Sequence, residues 1–126
     1  MEEKVKVLLI DDEEDFRQLI GFRLKSKGYA ILNASSGKDA IEIVKEKKPD
    51  IAFLDLHMPG MDGIETYNEI RKINKDLPII IISAYLEDPK LKSEILAGIS
   101  GVFPKGDDFE RGLSLLEAVL RRHKKI

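Results

Sequence analysis

Short runs of apolar residues alternate along the chain with longer stretches in which apolar residues recur at helical spacing. Five short runs are almost continuously apolar, at 5–10, 30–34, 51–54, 79–82 and 101–103. Strands buried on both faces of a parallel sheet show this pattern, whereas a strand with one solvated face alternates apolar and polar residues. The runs therefore predict five buried strands, of which 30–34 carries the weakest signal.

A stretch with its apolar residues on one side of a helix follows each strand. These apolar positions are Phe16, Leu19, Ile20 and Leu24; Ala40, Ile41, Ile43 and Val44; Ile64, Tyr67, Ile70 and Ile73; Leu91, Ile95 and Leu96; and Phe109, Leu113, Leu116 and Leu120. Ser36 and Asp62 stand where they would cap the second and third helices. Asp88 followed by Pro89 is typical of an N-cap and a first helical residue, so the fourth helix is predicted over 88–97.

The regular alternation of strands and helices indicates an α/β fold. Five nearly continuous apolar strands, each followed by a helix, predict a doubly wound parallel sheet covered on both faces, with right-handed crossovers. We expect the strand order 2-1-3-4-5 of flavodoxin-like folds. Because the chain has no internal repeat and no linker, residues 1–126 are predicted to form a single domain.

Composition narrows the classes of function. The net charge of −2 gives no overall field that would draw the chain to nucleic acid, despite the basic residues at 121–125. The absence of cysteine excludes disulfides and thiolate metal sites. No apolar stretch has the length of a membrane span, and the N-terminus lacks a secretory signal. A cytoplasmic protein without membrane contact is the expectation.

Polar residues collect where the predicted strands end. Asp11 and Asp12 follow the first strand, Asp55 the third, Ser83 the fourth and Lys105 the fifth. The carboxyl ends of parallel strands form one edge of the sheet, where ligands of open α/β folds bind. Taken one at a time, these residues are ordinary helix caps, turn formers or solvated charges. Their coincidence at one edge favours a site.

Three carboxylates held together repel one another unless a proton or a cation intervenes. Mg²⁺ suits such a site, since it is bound by one or two carboxylates, waters and phosphate oxygens. A carboxylate can also attack phosphorus and form an aspartyl phosphate. No glycine-rich phosphate loop follows the first strand, which argues against a nucleotide-binding domain.

Four segments of the chain resemble those of two-component response-regulator receiver domains. They are 8–13 (LLIDDE), 54–63 (LDLHMPGMDG), 82–84 (ISA) and Lys105. They occur in the family's order and spacing, and the resemblance covers essentially the whole chain. It implies a signalling switch that is phosphorylated by a histidine kinase or phosphotransferase and then changes how it binds a downstream protein or an output domain.

The resemblance also implies a metal site and assigns its ligands. Asp12 would bind Mg²⁺ directly, and Asp11 mainly through water. Asp55 would contribute a carboxylate oxygen, and His57 its backbone carbonyl. As the phosphoacceptor, Asp55 would take its phosphoryl group from a phosphohistidine on the partner. Any activity of the domain itself would be limited to phosphorylation from small donors and autodephosphorylation.

The resemblance further implies that Ser83 and Lys105 bind the phosphoryl oxygens. Ser83 would move toward them and draw the following loop and the helix at 88–97 with it. Tyr85, two residues beyond Ser83, would shield the aspartyl phosphate from water.

Two departures from the family pattern leave alternatives open. The family usually has an aromatic residue three positions before the lysine and proline directly after it, whereas this chain has Val102 and Gly106. One alternative is a degenerate receiver that acts as a phosphorylation-independent interaction module. Another is a phosphatase with an aspartate nucleophile, disfavoured because Asp55 is followed at two residues by His57 and not by a second acid. A homodimer is left open.

Overall fold

The structure is a computed structural model that describes residues 3–84 and 88–126. Its strands are β1 (Lys6–Ile10), β2 (Ala30–Ala34), β3 (Ile51–Asp55), β4 (Ile79–Ser83) and β5 (Gly101–Pro104). Its helices are α1 (Glu14–Ser26), α2 (Gly37–Lys47), α3 (Gly63–Ile73), α4 (Ser93–Gly98) and α5 (Phe109–Arg122). Within the described ranges, none of these helices has the length and apolar character needed to cross a membrane.

All five strands are parallel and lie in the order β2-β1-β3-β4-β5, which confirms the predicted flavodoxin-like fold. The register aligns the carboxyl ends of the central strands. Asp55 is paired with Ile82 in β4, and Ser83 is paired with Pro104 in β5. This alignment brings the residues that follow β1, β3, β4 and β5 to one edge of the sheet.

The sheet separates two apolar cores because successive strand residues point to opposite faces. Leu8 and Ile10 of β1 pack in the core beneath α2, α3 and α4, whereas Val7 and Leu9 pack beneath α1 and α5. Every residue of β3 and β4 is buried. Burying a leucine or isoleucine side chain stabilises the fold by about 1.5–3 kcal/mol. The continuous apolar runs thus reflect burial on both faces.

Side-chain caps begin several helices at the predicted residues. Ser36 Oγ accepts a hydrogen bond from the Asp39 N–H at 3.1 Å, and Asp62 Oδ1 accepts one from the Glu65 N–H at 2.9 Å. These bonds satisfy amides that have no partner within the first turn of a helix. The cap predictions for α2 and α3 are confirmed.

The predicted start of the fourth helix is wrong. The sequence predicts a helix over 88–97, but α4 is only Ser93–Gly98. The Leu91 N–H donates a hydrogen bond to the Asp88 carbonyl at 3.0 Å. The Lys92 N–H donates to the Lys90 carbonyl, so the hydrogen-bond pattern of an α-helix does not continue from this turn. The Asp88 carboxylate is also engaged in contacts with the sheet edge, described below, which hold the turn in place.

Candidate functional site

The sheet edge predicted to hold the site is buried and polar. Asp11 follows β1, while Asp55 and Ser83 are the last residues of β3 and β4. The exposed fractions of Asp11, Asp55 and Ser83 are 0%, 3% and 0%. Charged and hydroxyl groups are rarely so enclosed unless they bind one another or a ligand. Their burial marks this edge as a candidate site.

Asp11, Asp12 and Asp55 form a compact acidic trio. Each offers a carboxylate oxygen that lies within 4.8 Å of the others, and Asp12 is exposed to solvent. Asp11 Oδ1 accepts a hydrogen bond from the Glu13 N–H at 2.8 Å. Asp11 Oδ2 is buried and accepts no hydrogen bond of good geometry. A buried anionic oxygen beside two further carboxylates fits a hard cation such as Mg²⁺.

Lys105 reaches into the trio from the loop after β5. Its Nζ lies 2.9 Å from Asp11 Oδ2 and 3.5 Å from Asp55 Oδ2, and it also contacts the Glu13 carboxylate. The Lys105 N–H donates to the Ser83 carbonyl at 2.7 Å, which extends the β4–β5 pairing and fixes where the side chain begins. Burial alone would lower the pKa of Lys105, but Glu13, Asp11 and Asp55 together raise it. The ammonium therefore stays charged.

Asp55 has two distinct carboxylate oxygens. Oδ1 accepts a hydrogen bond from the His57 N–H at 3.1 Å, and Oδ2 faces Lys105. Burial raises the pKa of Asp55 and the charge of Asp11 adds to this, while the His57 N–H and Lys105 act in the opposite direction. Added positive charge at the trio would favour the ionised form, which is the nucleophilic one.

A glycine sets the position of the loop that follows Asp55. The Gly63 N–H donates to the Leu56 carbonyl at 3.0 Å. A Cβ atom on Gly63 would lie 2.4 Å from Leu56 Cα and 2.5 Å from the Asp55 carbonyl oxygen. Only glycine permits this approach between the first turn of α3 and the backbone of the candidate phosphoacceptor.

Ser83 is bound to Asp88, a residue to which the sequence pattern gives only the role of a helix cap. Its Oγ donates a hydrogen bond to Asp88 Oδ2 at 2.9 Å, and His57 Nε2 lies 2.6 Å from the same oxygen. Burial would raise the pKa of Asp88, but the bonds from the Lys90 N–H, His57 and Ser83 outweigh it, and the pKa is lowered. Asp88 is therefore an ionised acceptor for the side chains of Ser83 and His57.

Asp88 and Glu13 are the two site residues missed from sequence. Both read as helix-start residues, because an acidic residue before or within a first helical turn is common. Their tertiary contacts distinguish them from acidic residues that merely start a helix: Asp88 binds Ser83, and Glu13 binds Lys105. Tyr85, expected to shield the acceptor, lies outside the described residues.

Val102 and Gly106, the two positions that differ from the family pattern, each have a local structural explanation. Val102 is half-buried against the core beneath α4, whereas Phe103 packs in the opposite core against α5. Phe103 therefore does not replace the aromatic residue that the family usually has at position 102. Gly106 has a φ of +89°, which proline cannot adopt because its ring fixes φ near −65°. Lys105 nevertheless contacts Asp11 and Asp55.

Comparison with known proteins gives one family. The family model for the response regulator receiver domain matches residues 7–117. The chemotaxis protein CheY4 of Vibrio cholerae is 30% identical, with 94% of this chain and 100% of that chain covered and a TM-score of 0.86. The response regulator TrrA of Thermotoga maritima, in complex with Mg²⁺-BeF, is 30% identical over 94% and 100% of the two chains, with a TM-score of 0.83. The N-terminal domain of a response regulator/sensory box/GGDEF three-domain protein from Carboxydothermus hydrogenoformans is 26% identical over 95% and 97%, with a TM-score of 0.86.

Proposed function

This chain belongs to the response regulator receiver domain family, and on that premise we propose that it is a phosphorylation-dependent switch with Asp55 as its phosphoacceptor. The observation that carries the proposal is the convergence of Asp11, Asp12, Asp55 and Lys105 at the carboxyl edge of the sheet. The phosphodonor would be a phosphohistidine of a histidine kinase or phosphotransferase. Residues 1–126 would form one receiver domain, working in the cytoplasm.

The proposed reaction moves one phosphoryl group between side chains. An oxygen of the Asp55 carboxylate attacks phosphorus, an O–P bond forms, and the N–P bond to the donor imidazole breaks with its electron pair remaining on nitrogen. Negative charge on the phosphoryl oxygens must be neutralised during transfer. The Lys105 ammonium lies 3.5 Å from Asp55 Oδ2 and supports this role. The His57 N–H holds the other Asp55 oxygen in place.

Asp11, Asp12 and Asp55 would hold Mg²⁺, together with the backbone carbonyl of His57. The burial of Asp11 and the spacing of the trio support this assignment, as does the Mg²⁺-BeF complex of the 30% identical TrrA. When bound, the cation would neutralise charge on the phosphoryl oxygens and orient them for in-line transfer.

The output of the switch would be a change in partner binding near Ser83, α4 and β5. Ser83 ends β4, so a hydrogen bond from its hydroxyl to a phosphoryl oxygen would move the chain that follows. The partner would be a downstream protein or an output domain. We propose no direct contact of this domain with nucleic acid or membrane, in line with its near-neutral net charge.

The alternative function, a phosphorylation-independent interaction module, is motivated by Val102 and Gly106. Incubation of the protein with Mg²⁺ and acetyl phosphate, followed by intact-mass measurement, separates the two. We expect one added phosphoryl group in the wild type and none in Asp55→Asn. If the folded wild type gains no phosphoryl group under conditions that label a control receiver, the interaction module is the better assignment.

A further inference from the structure

Asp88 is the buried acceptor of a small hydrogen-bonded cluster that includes His57, whose N–H donates to Asp55 Oδ1. The side chain of Asp88 is 0% exposed. Oδ2 binds both the Ser83 hydroxyl at 2.9 Å and His57 Nε2 at 2.6 Å, and Oδ1 accepts the Lys90 N–H at 3.0 Å. The cluster thereby joins the end of β4, the loop after β3 and the turn before α4. The metal ligand set and the phosphoryl-binding residues proposed above do not include Asp88.

The Ser83 hydroxyl has two incompatible tasks. A hydroxyl carries one proton and donates one hydrogen bond at a time. In this structure Ser83 donates to Asp88, whereas a phosphoryl group on Asp55 would need the same proton for one of its oxygens. The bond to Asp88 must therefore break before Ser83 can bind the phosphoryl group.

We propose that Asp88 is a positioning residue that, together with His57, restrains the Ser83 hydroxyl in the unphosphorylated state. This inference rests on the proposed function of Asp55. The restraint lowers the affinity of the resting protein for a phosphoryl group, because the bond to a charged acceptor has to be given up first. Releasing it is the event that couples the site to the turn before α4.

The negative charge of a phosphoryl group on Asp55 explains why the Ser83–Asp88 hydrogen bond would break. A phosphoryl group brings about −1.5 to −2 charges at neutral pH together with strong acceptor oxygens. It attracts the Ser83 proton and repels the carboxylate of Asp88, which burial leaves poorly screened by solvent. Loss of the Ser83 bond and displacement of Asp88 follow from the same event.

Hydrogen bonds at the two ends of α4 indicate which part of the chain would move with Asp88. The Asp88 carbonyl accepts the Leu91 N–H, so the turn before α4 moves with Asp88. At the other end of α4, Arg71 Nη2 donates to the Gly98 carbonyl at 2.8 Å and ties the helix end to α3. Movement should therefore be largest at the amino end of α4 and small at Gly98.

The test uses Mg²⁺ with beryllofluoride as a non-transferable phosphoryl substitute. We expect Asp88→Ala to bind beryllofluoride about tenfold more tightly than the wild type, equal to about 1.4 kcal/mol. The gain should vanish when Asp88→Ala is combined with Ser83→Ala, because the restraint acts through the Ser83 hydroxyl. Glu94→Ala, which removes an exposed acid from the first turn of α4, is the matched control and should leave the affinity unchanged.

Asp88→Asn guards against a folding defect in the alanine variant. It keeps the shape and an acceptor oxygen but changes the bond to Ser83 from charge-assisted to neutral, so its gain should be smaller, about threefold, and should also require Ser83. A gain that persists in the Ser83→Ala background would overturn the proposal and assign the effect to charge repulsion through space. No gain in a folded variant would overturn it as well.

A second readout needs neither metal nor phosphoryl substitute. In the metal-free protein, the amide resonances of Leu91 and Ser93 in Asp88→Ala should shift toward their positions in beryllofluoride-bound wild type, while the amide of Gly98 should stay in place. Failure of wild type to bind beryllofluoride would refute the proposed function, whereas binding without an effect of Asp88 would refute only the restraint.

Discussion

The Lys105 ammonium lies 2.9 Å from Asp11 Oδ2, although 94 residues separate the two in sequence. The pair joins the ends of β1 and β5, which are not neighbours in the sheet. Lys105 also approaches Asp55 Oδ2 at 3.5 Å, so one ammonium balances part of the charge of two buried carboxylates. A fully buried carboxylate such as Asp11 is costly unless a positive group lies this close.

Replacing Lys105 by methionine should have opposite effects on two measurable quantities. Phosphorylation by acetyl phosphate should slow by about 10²-fold, the scale for losing one electrostatic group that stabilises a transition state. The affinity for Mg²⁺ should rise several-fold, because a competing cation has left the trio. Stopped-flow kinetics measures the rate of phosphorylation, and isothermal titration calorimetry measures the affinity for Mg²⁺. Lys72→Met, at a largely exposed lysine, serves as the control; equal effects of both variants would contradict the role of Lys105.

Metal binding should depend on Asp12 with little cost in stability. Because Asp12 is exposed, Asp12→Asn should change the free energy of unfolding without metal by less than about 0.5 kcal/mol. In the wild type, Mg²⁺ at 100 times its Kd should add about 2.7 kcal/mol. Most of that increment should be lost in Asp12→Asn and kept in Asp15→Asn, an exposed acid in the first turn of α1. Urea unfolding with Mg²⁺ or with EDTA measures this increase in the free energy of unfolding.

The raised pKa of Asp55 has a consequence for stability in the absence of metal. Because burial raises this pKa above the ordinary value of 3.8, the folded protein holds the proton more tightly than the unfolded chain does. The resulting stabilisation is present below pH 3.8 and is lost as the pH rises through the folded-state pKa. At neutral pH the ionised group therefore opposes folding.

Asp55→Asn should accordingly stabilise the metal-free protein at pH 7, by on the order of 1 kcal/mol, because it removes a buried charge beside Asp11. The difference should shrink toward zero below pH 3.8. Urea denaturation in EDTA at several pH values measures this. A metal-free Asp55→Asn protein that is less stable than the wild type at pH 7 would contradict the pKa argument.

Gly63→Ala should disturb both stability and phosphorylation. The new Cβ would lie 2.4 Å from Leu56 Cα and 2.5 Å from the Asp55 carbonyl oxygen, so the backbone has to shift. Overpacking of this kind costs about 1–3 kcal/mol. We expect slower phosphorylation as well, since the strain falls on the acceptor loop.

Gly21→Ala, also in a helix, is the matched control for Gly63→Ala. Its Cβ would lie 3.5 Å from Ile31 Cγ2, an ordinary contact. Alanine favours the helical conformation by up to about 1 kcal/mol over glycine, so this variant should be as stable as the wild type or more so. Chemical denaturation and labelling with acetyl phosphate compare the two. If Gly63→Ala behaved like Gly21→Ala, the close approach at Asp55 would have no importance.

The sequence alone was sufficient for the strands and the parallel sheet, whereas the strand order depended on analogy with flavodoxin-like folds. Burial on both faces leaves a continuous apolar run in each strand, and this signal is local. The same runs end at Asp11, Asp55 and Ser83, so the carboxyl edge could be predicted as the site before any distance was known. The start of the fourth helix could not be predicted, because Asp88-Pro89 carries a genuine cap signal.

What the sequence determined by itself was therefore the set of elements and the sheet edge to which the acidic, hydroxyl and amino groups belong. Periodicity and residue type report local conformation and burial, which define the elements, whereas the strand order depended on analogy with flavodoxin-like folds. Only the tertiary structure decided that Asp88 binds Ser83 and His57, and that Glu13 shares Lys105 with Asp11. The physical reason is that a carboxylate which caps a turn and one which binds a distant side chain look the same in sequence. The two are distinguished only when the folded chain brings a donor within hydrogen-bonding distance.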